Sequence, residues 1–299
     1  MWYTKPVPTL PAVRMAVLVP AGPRDDVLDT LASVVHYTEP SRVIVVIDDS
    51  GKVAADSRIA RLSRDIVVLP PPPARPGPRG GLWVKLGAAY RWILENYQPE
   101  MILRLDADAL FIGPGLEAAA GQVFARDRSI GLAGSYRVGP DGKSRDFSWV
   151  SRQLRVEAGL RGLLQPERRA ALRHYLALAR SHGYVDGEHT LGAACIHSYA
   201  AVRAIYEKGW FGDRRLERSY LGDDHLLGLV TVAAGFRLAD LGGPDGPMAL
   251  RWQGLPAHPA ELLAAGKALT HSVRSWQNLT EPEIRAFFAQ SRATSQRAG

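Results

Sequence analysis

Asp106-Ala107-Asp108 follows directly on the apolar run Met101-Ile102-Leu103-Arg104-Leu105. Two carboxylates one residue apart at a strand end can hold a hard divalent cation, Mn2+ or Mg2+, and leave coordination positions for phosphate oxygens. Such a cation would bridge the protein to a diphosphate and stabilise negative charge on a departing one. Surface loops are rich in aspartates, so the spacing draws its force from the strand before it. Asp48 and Asp49 end a second apolar run, Arg42-Val43-Ile44-Val45-Val46-Ile47. Short acidic side chains there either close an Asx turn or cap a helix, or they recognise a ribose and the imino proton of a uracil. A third acidic pair, Asp223-Asp224, opens a helical stretch. Adjacent helix positions point in different directions, so at most one of the two faces a ligand, and the other reading is two ordinary first-turn residues.

The elements that must position these residues alternate in type. Residues 13–19 read as a strand ending at Pro20, 25–37 as a helix, 42–47 as a strand buried on both faces, 53–64 as a helix and 66–69 as a strand. Prolines and glycines make residues 70–81 a loop carrying Arg75 and Arg79. A helix over 82–97 leads into the strand 101–105. Repeated βα units imply a mostly parallel sheet with helices on both faces, and such sheets bind ligands at the carboxyl ends of their strands. Pro20, Asp48-Asp49, the arginine loop and Asp106-Ala107-Asp108 should therefore meet in one crevice. Past residue 129 the alternation breaks: a strand over 129–137, two helices within 151–181 split near Pro166, helices at 198–208 and 222–234, a strand at 236–239, and a loop-rich tail ending in a helix around 281–290.

Composition narrows the partners. The net charge of +7, from 37 basic and 30 acidic residues, favours anionic ligands. Nucleic acid is not expected, because no Cys/His finger spacing occurs and the arginines are scattered. Cys195 is the sole cysteine, which excludes an intrachain disulfide and a cysteine-rich metal site, and its apolar neighbours read as core. No run of about 18 apolar residues suggests a membrane span, and Met1-Trp2-Tyr3-Thr4-Lys5-Pro6 lacks the basic-then-apolar pattern of a leader. A cytoplasmic location is the expectation.

The arrangement resembles the GT-A glycosyltransferases, in particular the large family of inverting, non-processive enzymes that use nucleotide-diphosphate sugars. Val17-Leu18-Val19-Pro20 is similar to the family's opening strand, Val45-Val46-Ile47-Asp48-Asp49-Ser50 to its base-binding strand end, and Leu103-Arg104-Leu105-Asp106-Ala107-Asp108 to its metal motif. Leu191-Gly192-Ala193-Ala194-Cys195-Ile196 resembles the acceptor-side glycine segment, and Leu221-Gly222-Asp223-Asp224-His225 the acidic motif that opens the catalytic helix. Together they span roughly residues 13–275.

The resemblance implies an α/β, GT-A-like (Rossmann-like) fold with a mixed acceptor-side region. Residues 1–137 would form the nucleotide-sugar-binding half and 138–299 the acceptor-binding and catalytic half, continuous in one domain. It also implies roles: Asp49 contacts the base, Asp106 the ribose or metal-bound water, Asp108 the metal most directly, and Asp224 is general base with Asp223 before it. His271 resembles the late histidine that completes the metal site in many enzymes of this fold; its other reading is a surface or capping residue. Arg274 suits a diphosphate, since its guanidinium fork matches phosphate oxygens. Lys85, where the family often has a short Ala-Arg-Asn sequence, either supplies positive charge to the donor or snorkels from a core-facing helix. The expected partners are a UDP-sugar first among nucleotide-diphosphate sugars, and a small-molecule or glycan acceptor shaped by Trp149, Tyr184, Trp210, Phe211 and Trp252. Retaining transfer on the same fold and nucleotide-sugar binding without turnover are the alternatives. A phosphohydrolase of the haloacid-dehalogenase type fits less well, because its aspartate motif opens the domain whereas three strands precede it here.

Overall fold

The structure is a computed structural model that describes residues 10–23, 27–73 and 80–298. Arg75, Arg79 and the first residues of the helix expected at 25–37 lie outside these. Seven strands form the main sheet in the order β3-β2-β1-β4-β7-β6-β8. They are β1 (Ala12–Ala21), β2 (Arg42–Asp48), β3 (Ile66–Leu69), β4 (Gln98–Leu105), β6 (Ile130–Gly134), β7 (Ala194–Ser198) and β8 (Arg237–Asp240). β5 (Leu110–Phe111), β9 (Met248–Leu250) and β10 (Leu269–His271) make a small second sheet. All main-sheet pairings are parallel except those of β7, which runs antiparallel between β4 and β6.

The alternation along β1 and β2 shows why both faces of the sheet are covered. Ala16, Leu18, Val43, Val45 and Ile47 enter one core, whereas Met15, Val17, Val19, Ile44 and Val46 enter the other. Successive strand side chains point to opposite faces, so a run of apolar residues must bury both. The first core is closed by the helices Gly80–Asn96, Pro166–Ser181 and Asp223–Ala233, the second by Leu28–Tyr37 and Leu116–Arg126. β1 continues through Pro20, which the sequence makes a stop. Pairing with β4 ends at Leu18, so beyond it that side of β1 is open, and a missing N–H costs least there.

Two differences from the expected layout matter for the site. β7 reads in sequence only as core, but it inserts between β4 and β6, so segments on either side of residue 137 share one sheet. The tail holds β9 and β10, and β10 pairs antiparallel with β5, placing Leu269 opposite Phe111. The single stretch expected at 53–64 is two short helices, Lys52–Ala55 and Ser57–Leu62, parted at Asp56, whose side chain caps the second through the Arg58 amide.

His197 on β7 ties the first core together. Its Nδ1 lies 3.0 Å from the Tyr90 hydroxyl and its Nε2 3.4 Å from Thr231 Oγ1. Complete burial pulls its pKa down to about 3. The folded chain holds a neutral imidazole while the unfolded chain takes up a proton near 6.5. The stability this contributes is therefore full above that value and drains as pH falls towards 3. His197→Gln keeps two polar ends without the titration, so its melting temperature should fall less steeply than that of the wild type between about pH 7 and pH 4; parallel curves would remove His197 as a source of acid sensitivity.

Candidate active site

β4 ends at Leu105, and the chain turns through Asp106, Ala107 and Asp108 into β5. The β5–β10 pairing carries His271 over this turn. Ligand-type atoms of Asp106, Asp108 and His271 all lie within 4.8 Å of one another. His271 Nε2 is 3.7 Å from Asp106 Oδ2 and 3.3 Å from Asp108 Oδ1, while its Nδ1 lies 2.7 Å from the Arg251 carbonyl. A donor on Nδ1 fixes the tautomer and leaves the Nε2 lone pair facing both carboxylates. Two carboxylates and one such imidazole are a donor set that suits Mn2+, and less closely the oxygen-preferring Mg2+.

Asp108 is the more tightly held carboxylate. Ser272 Oγ donates to its Oδ2 at 2.7 Å and Arg274 Nε at 3.1 Å. Burial alone would raise its pKa, but His271, Ser272 and Arg274 outweigh burial and hold it well below the usual carboxylate range. For His271, burial acts downward, yet the hydrogen bond to Asp108 and the charges of both carboxylates raise it above the ordinary histidine value. Arg274 also reaches Glu281 at 3.2 Å. The turn is braced from behind by the last helix, since Arg285 Nη2 donates to the Ala107 carbonyl at 3.1 Å, beside the Thr30 hydroxyl at 2.6 Å.

The corner at the end of β2 lies across β1, the strand between β2 and β4; with strands about 4.8 Å apart, the β2 and β4 ends are roughly 10 Å from each other. Asp49 follows β2, its amide bonds to the Ala21 carbonyl at 3.0 Å beside Pro20, and its carboxylate forms an ion pair with Lys85 from the helix Gly80–Asn96. Asp48 faces inward instead. Its oxygens accept from the Ser50 amide and hydroxyl and from the Ala54 amide, at 2.7–3.0 Å. These bonds outweigh burial and lower its pKa. Of the two sequence readings for Asp48, the geometry is that of the capping residue.

The acidic pair divides as adjacent helix positions should. Asp223 turns back to the buried Arg104, whose Nη2 lies 2.9 Å from its Oδ2 and whose Nη1 lies 2.7 Å from Asp106 Oδ1. Burial, and then the nearness of Asp224 and Asp106, push Asp223 up to about 7 against the pull of Arg104. Asp224 is part-buried against the Gly192 segment instead, with 17% of its side chain exposed. The amides of Gly192 and His225 donate to its two oxygens at 3.2 and 2.9 Å. Burial would raise its pKa, but His225, His189, Arg104 and the His225 amide prevail and hold it low. A methyl on Gly192 would lie 2.9 Å from Asp224 Cβ, and one on Gly222 2.5 Å from its Oδ1. A side chain at Gly192 would crowd the base of this carboxylate, and one at Gly222 would have to displace its oxygen.

His189, Asp224 and His225 form a second close group of ligand-type atoms. Here, however, Arg145 Nη2 sits 3.0 Å from His189 Nε2, and the Gly222 amide donates to His225 Nδ1 at 2.9 Å. Those bonds engage ring nitrogens of both histidines, whereas at Asp106, Asp108 and His271 the Nε2 faces the carboxylates. Burial pulls His189 down to about 4, so it is neutral near pH 7.

Among the aromatics, Trp149 and Trp252 are exposed, and Trp149 lies 5.6 Å from the His225 ring. Phe211 stacks on Tyr90 in the core, Tyr184 is buried, and Trp210 packs on Tyr175. Sequence reasoning missed Arg104, Arg145, His189, Ser272 and Arg285. Arg104 had a signal: a lone charge inside Met101-Ile102-Leu103-Arg104-Leu105 must find partners if that strand is buried. Removing it strands two carboxylates, so Arg104→Met should lower the unfolding free energy by about 3–5 kcal/mol in urea titration. Adding Asp223→Asn should recover part of the loss, and an unchanged midpoint in the single variant would refute the role.

No family model matches the sequence, and no curated protein matches it. Among solved structures, the apo form of the bifunctional glycosyltransferase WbbM aligns with 97% of this chain and 51% of its own, at 11% identity and a TM-score of 0.50. The present chain thus spans about half the length of that protein. The galactosyltransferase LgtC, in complex with donor and acceptor sugar analogs, aligns over 94% and 96% at 12% identity and a TM-score of 0.48. Glucosyl-3-phosphoglycerate synthase from Mycobacterium tuberculosis, with Mn2+, UDP and glucosyl-3-phosphoglycerate, aligns over 85% and 76% at 16% identity and a TM-score of 0.38. The likeness is one of fold: a GT-A-like α/β sheet with flanking helices.

Proposed function

We propose that this chain transfers a sugar from a nucleotide-diphosphate sugar, UDP first, to a hydroxyl of an acceptor, with Mn2+ or Mg2+ held by Asp106, Asp108 and His271. The observation that carries the reading is the meeting, at the carboxyl end of β4, of that donor set with the acidic pair opening the helix Asp223–Ala233, whose first member Asp223 shares Arg104 with Asp106 and whose second, Asp224, is the neighbouring part-buried carboxylate. When bound, the cation supplies positive charge against the diphosphate leaving group. Asp49, just after β2 and beside the end of β1 at Pro20, and Lys85 from the helix Gly80–Asn96 serve the base side, and Arg274 serves the diphosphate. Both halves contribute to the donor pocket in this reading: residues 1–137 bring the sheet edge, and 138–299 bring His271, Arg274 and the acceptor side.

Asp224 takes the proton of the attacking hydroxyl. Its low pKa keeps it ionised, and the two backbone amides aim its oxygens. Asp223, tied to Arg104, positions the helix start. A mass-resolved panel of donors and candidate acceptors, with and without Mn2+, tests the reading: a metal-dependent product heavier by one sugar is expected. Binding without turnover across donors and acceptors would leave a nucleotide-sugar-binding protein. A product of retained anomeric configuration would take Asp224 out of the base role while leaving transfer intact.

A further inference from the structure

Seven arginines and two glutamates lie within residues 148–181, a helix pair remote in sequence from the donor site. The helices Ser148–Ala158 and Pro166–Ser181 are joined by a 3-10 turn, Leu160–Leu164. Leu160, Leu163 and Leu164 in that turn are 81%, 57% and 87% exposed. Three leucines side by side in water are an unusual cost, since each leaves a large apolar surface uncovered.

They are held outward by a rigid frame. The Gly162 amide bonds to the Gly159 carbonyl and the Gln165 amide to that of Gly162, at 3.2 and 2.9 Å. Arg169 Nε clamps the Gly159 carbonyl at 2.9 Å. Gly162 packs so closely on the preceding helix that a Cβ would lie 2.0 Å from the Glu157 carbonyl oxygen. Glu157 is itself buried, bonded to Ser219 Oγ and the Tyr220 amide at 2.9 Å and paired with Arg168 at 3.2 Å.

Charge surrounds the leucines. Arg152, Arg155 and Val156 share the exposed stripe of the first helix by their i, i+3, i+4 spacing, and Arg161 is exposed within the turn itself. Adjoining Leu164 is a cavity of about 170 Å³ whose lining includes Gln165, Arg168, Arg214, Arg215 and Arg218, with Glu167 and Glu217 as its acidic members. A protruding apolar tip ringed by arginines is the composition that seats in the boundary between headgroups and acyl chains, where leucines leave water and guanidinium groups meet lipid phosphate.

We propose that the Leu160–Leu164 turn and the arginines around it dock this protein on an anionic lipid bilayer. The experiment is flotation of the full chain with vesicles of phosphatidylglycerol and phosphatidylcholine in equal parts, against vesicles of phosphatidylcholine alone. The protein should float with the anionic vesicles only, and added salt should release it. Replacing Leu160, Leu163 and Leu164 together by serine should weaken partitioning by about tenfold or more. Arg152→Gln, Arg155→Gln and Arg161→Gln should each weaken it about fivefold. All six side chains are exposed, so melting temperatures should stay at the wild-type value; if the serine variant misfolds, the arginine variants still decide. Failure of the wild type to float with anionic vesicles at low salt would overturn the proposal, as would undiminished flotation of the variants. A dimer that the serine substitutions dissolve, with no vesicle binding, would assign the patch to a second copy of this chain instead. No donor or acceptor is present in this assay, so its outcome is independent of the transfer reaction.

Discussion

Asp224→Asn should reduce transfer by roughly 10²–10⁴-fold and leave nucleotide and metal affinity almost unchanged. The substitution keeps size and one acceptor oxygen, so it can retain the bond from one of the two amides, Gly192 or His225, that the carboxylate accepts. What it removes is the ionised carboxylate at the helix start that is not engaged by Arg104. The matching variant Asp223→Asn makes the comparison decisive. Asp223 is aimed at Arg104, so its loss should register mainly in stability and in the setting of Asp106. Full transfer activity in Asp224→Asn would end the assignment, and a large loss of nucleotide binding would move Asp224 into the donor pocket.

Asp108→Ala should cost at least about 10² in the metal-dependent affinity for UDP, since even supporting partners of metal ligands are worth 10–100-fold. Isothermal calorimetry with and without Mn2+ reads this directly. Asp108 gathers His271, Ser272 and Arg274 onto one carboxylate, so its removal disorders the rest of the set as well as deleting a ligand. A pH dependence accompanies it. Protons and cation compete for His271 Nε2, whose pKa lies above the ordinary 6.5. Affinity should therefore weaken as pH falls through a midpoint above 6.5 in the wild type, while Asp108 stays ionised throughout that range. An affinity in Asp108→Ala equal to the wild type, still metal-dependent, would rule out the proposed ligand.

The strands β1 to β4 were legible in the sequence as short apolar runs bounded by turn residues, β-branched in β2 and β3. β7 was not, since Ala194-Cys195-Ile196-His197-Ser198 has neither alternation nor a clean apolar run, and only its two antiparallel neighbours make it a strand. β9 and β10 are three residues each, below what periodicity can register, so the sequence offered His271 as a candidate without the means of bringing it to Asp108. The Asp48 and Asp49 alternatives could not be parted beforehand. Their split depends on which carboxylate meets the Ser50 and Ala54 amides, a matter of turn geometry rather than residue type. His189 and Arg145 gave no signal, being single polar residues in loop segments whose partners are mostly backbone carbonyls.

Arg104 is one cation shared by two anions, Asp106 after β4 and Asp223 at the helix start, which the proposed reaction puts on the donor and acceptor sides. Anything that changes the charge at one carboxylate alters the guanidinium's hold on the other. By linkage the effect is reciprocal: the free energy by which an occupied donor side favours or opposes the acceptor equals the free energy by which the acceptor acts on the donor. In the proposed reaction, a substitution at Arg104 would then change the affinity for both substrates at once.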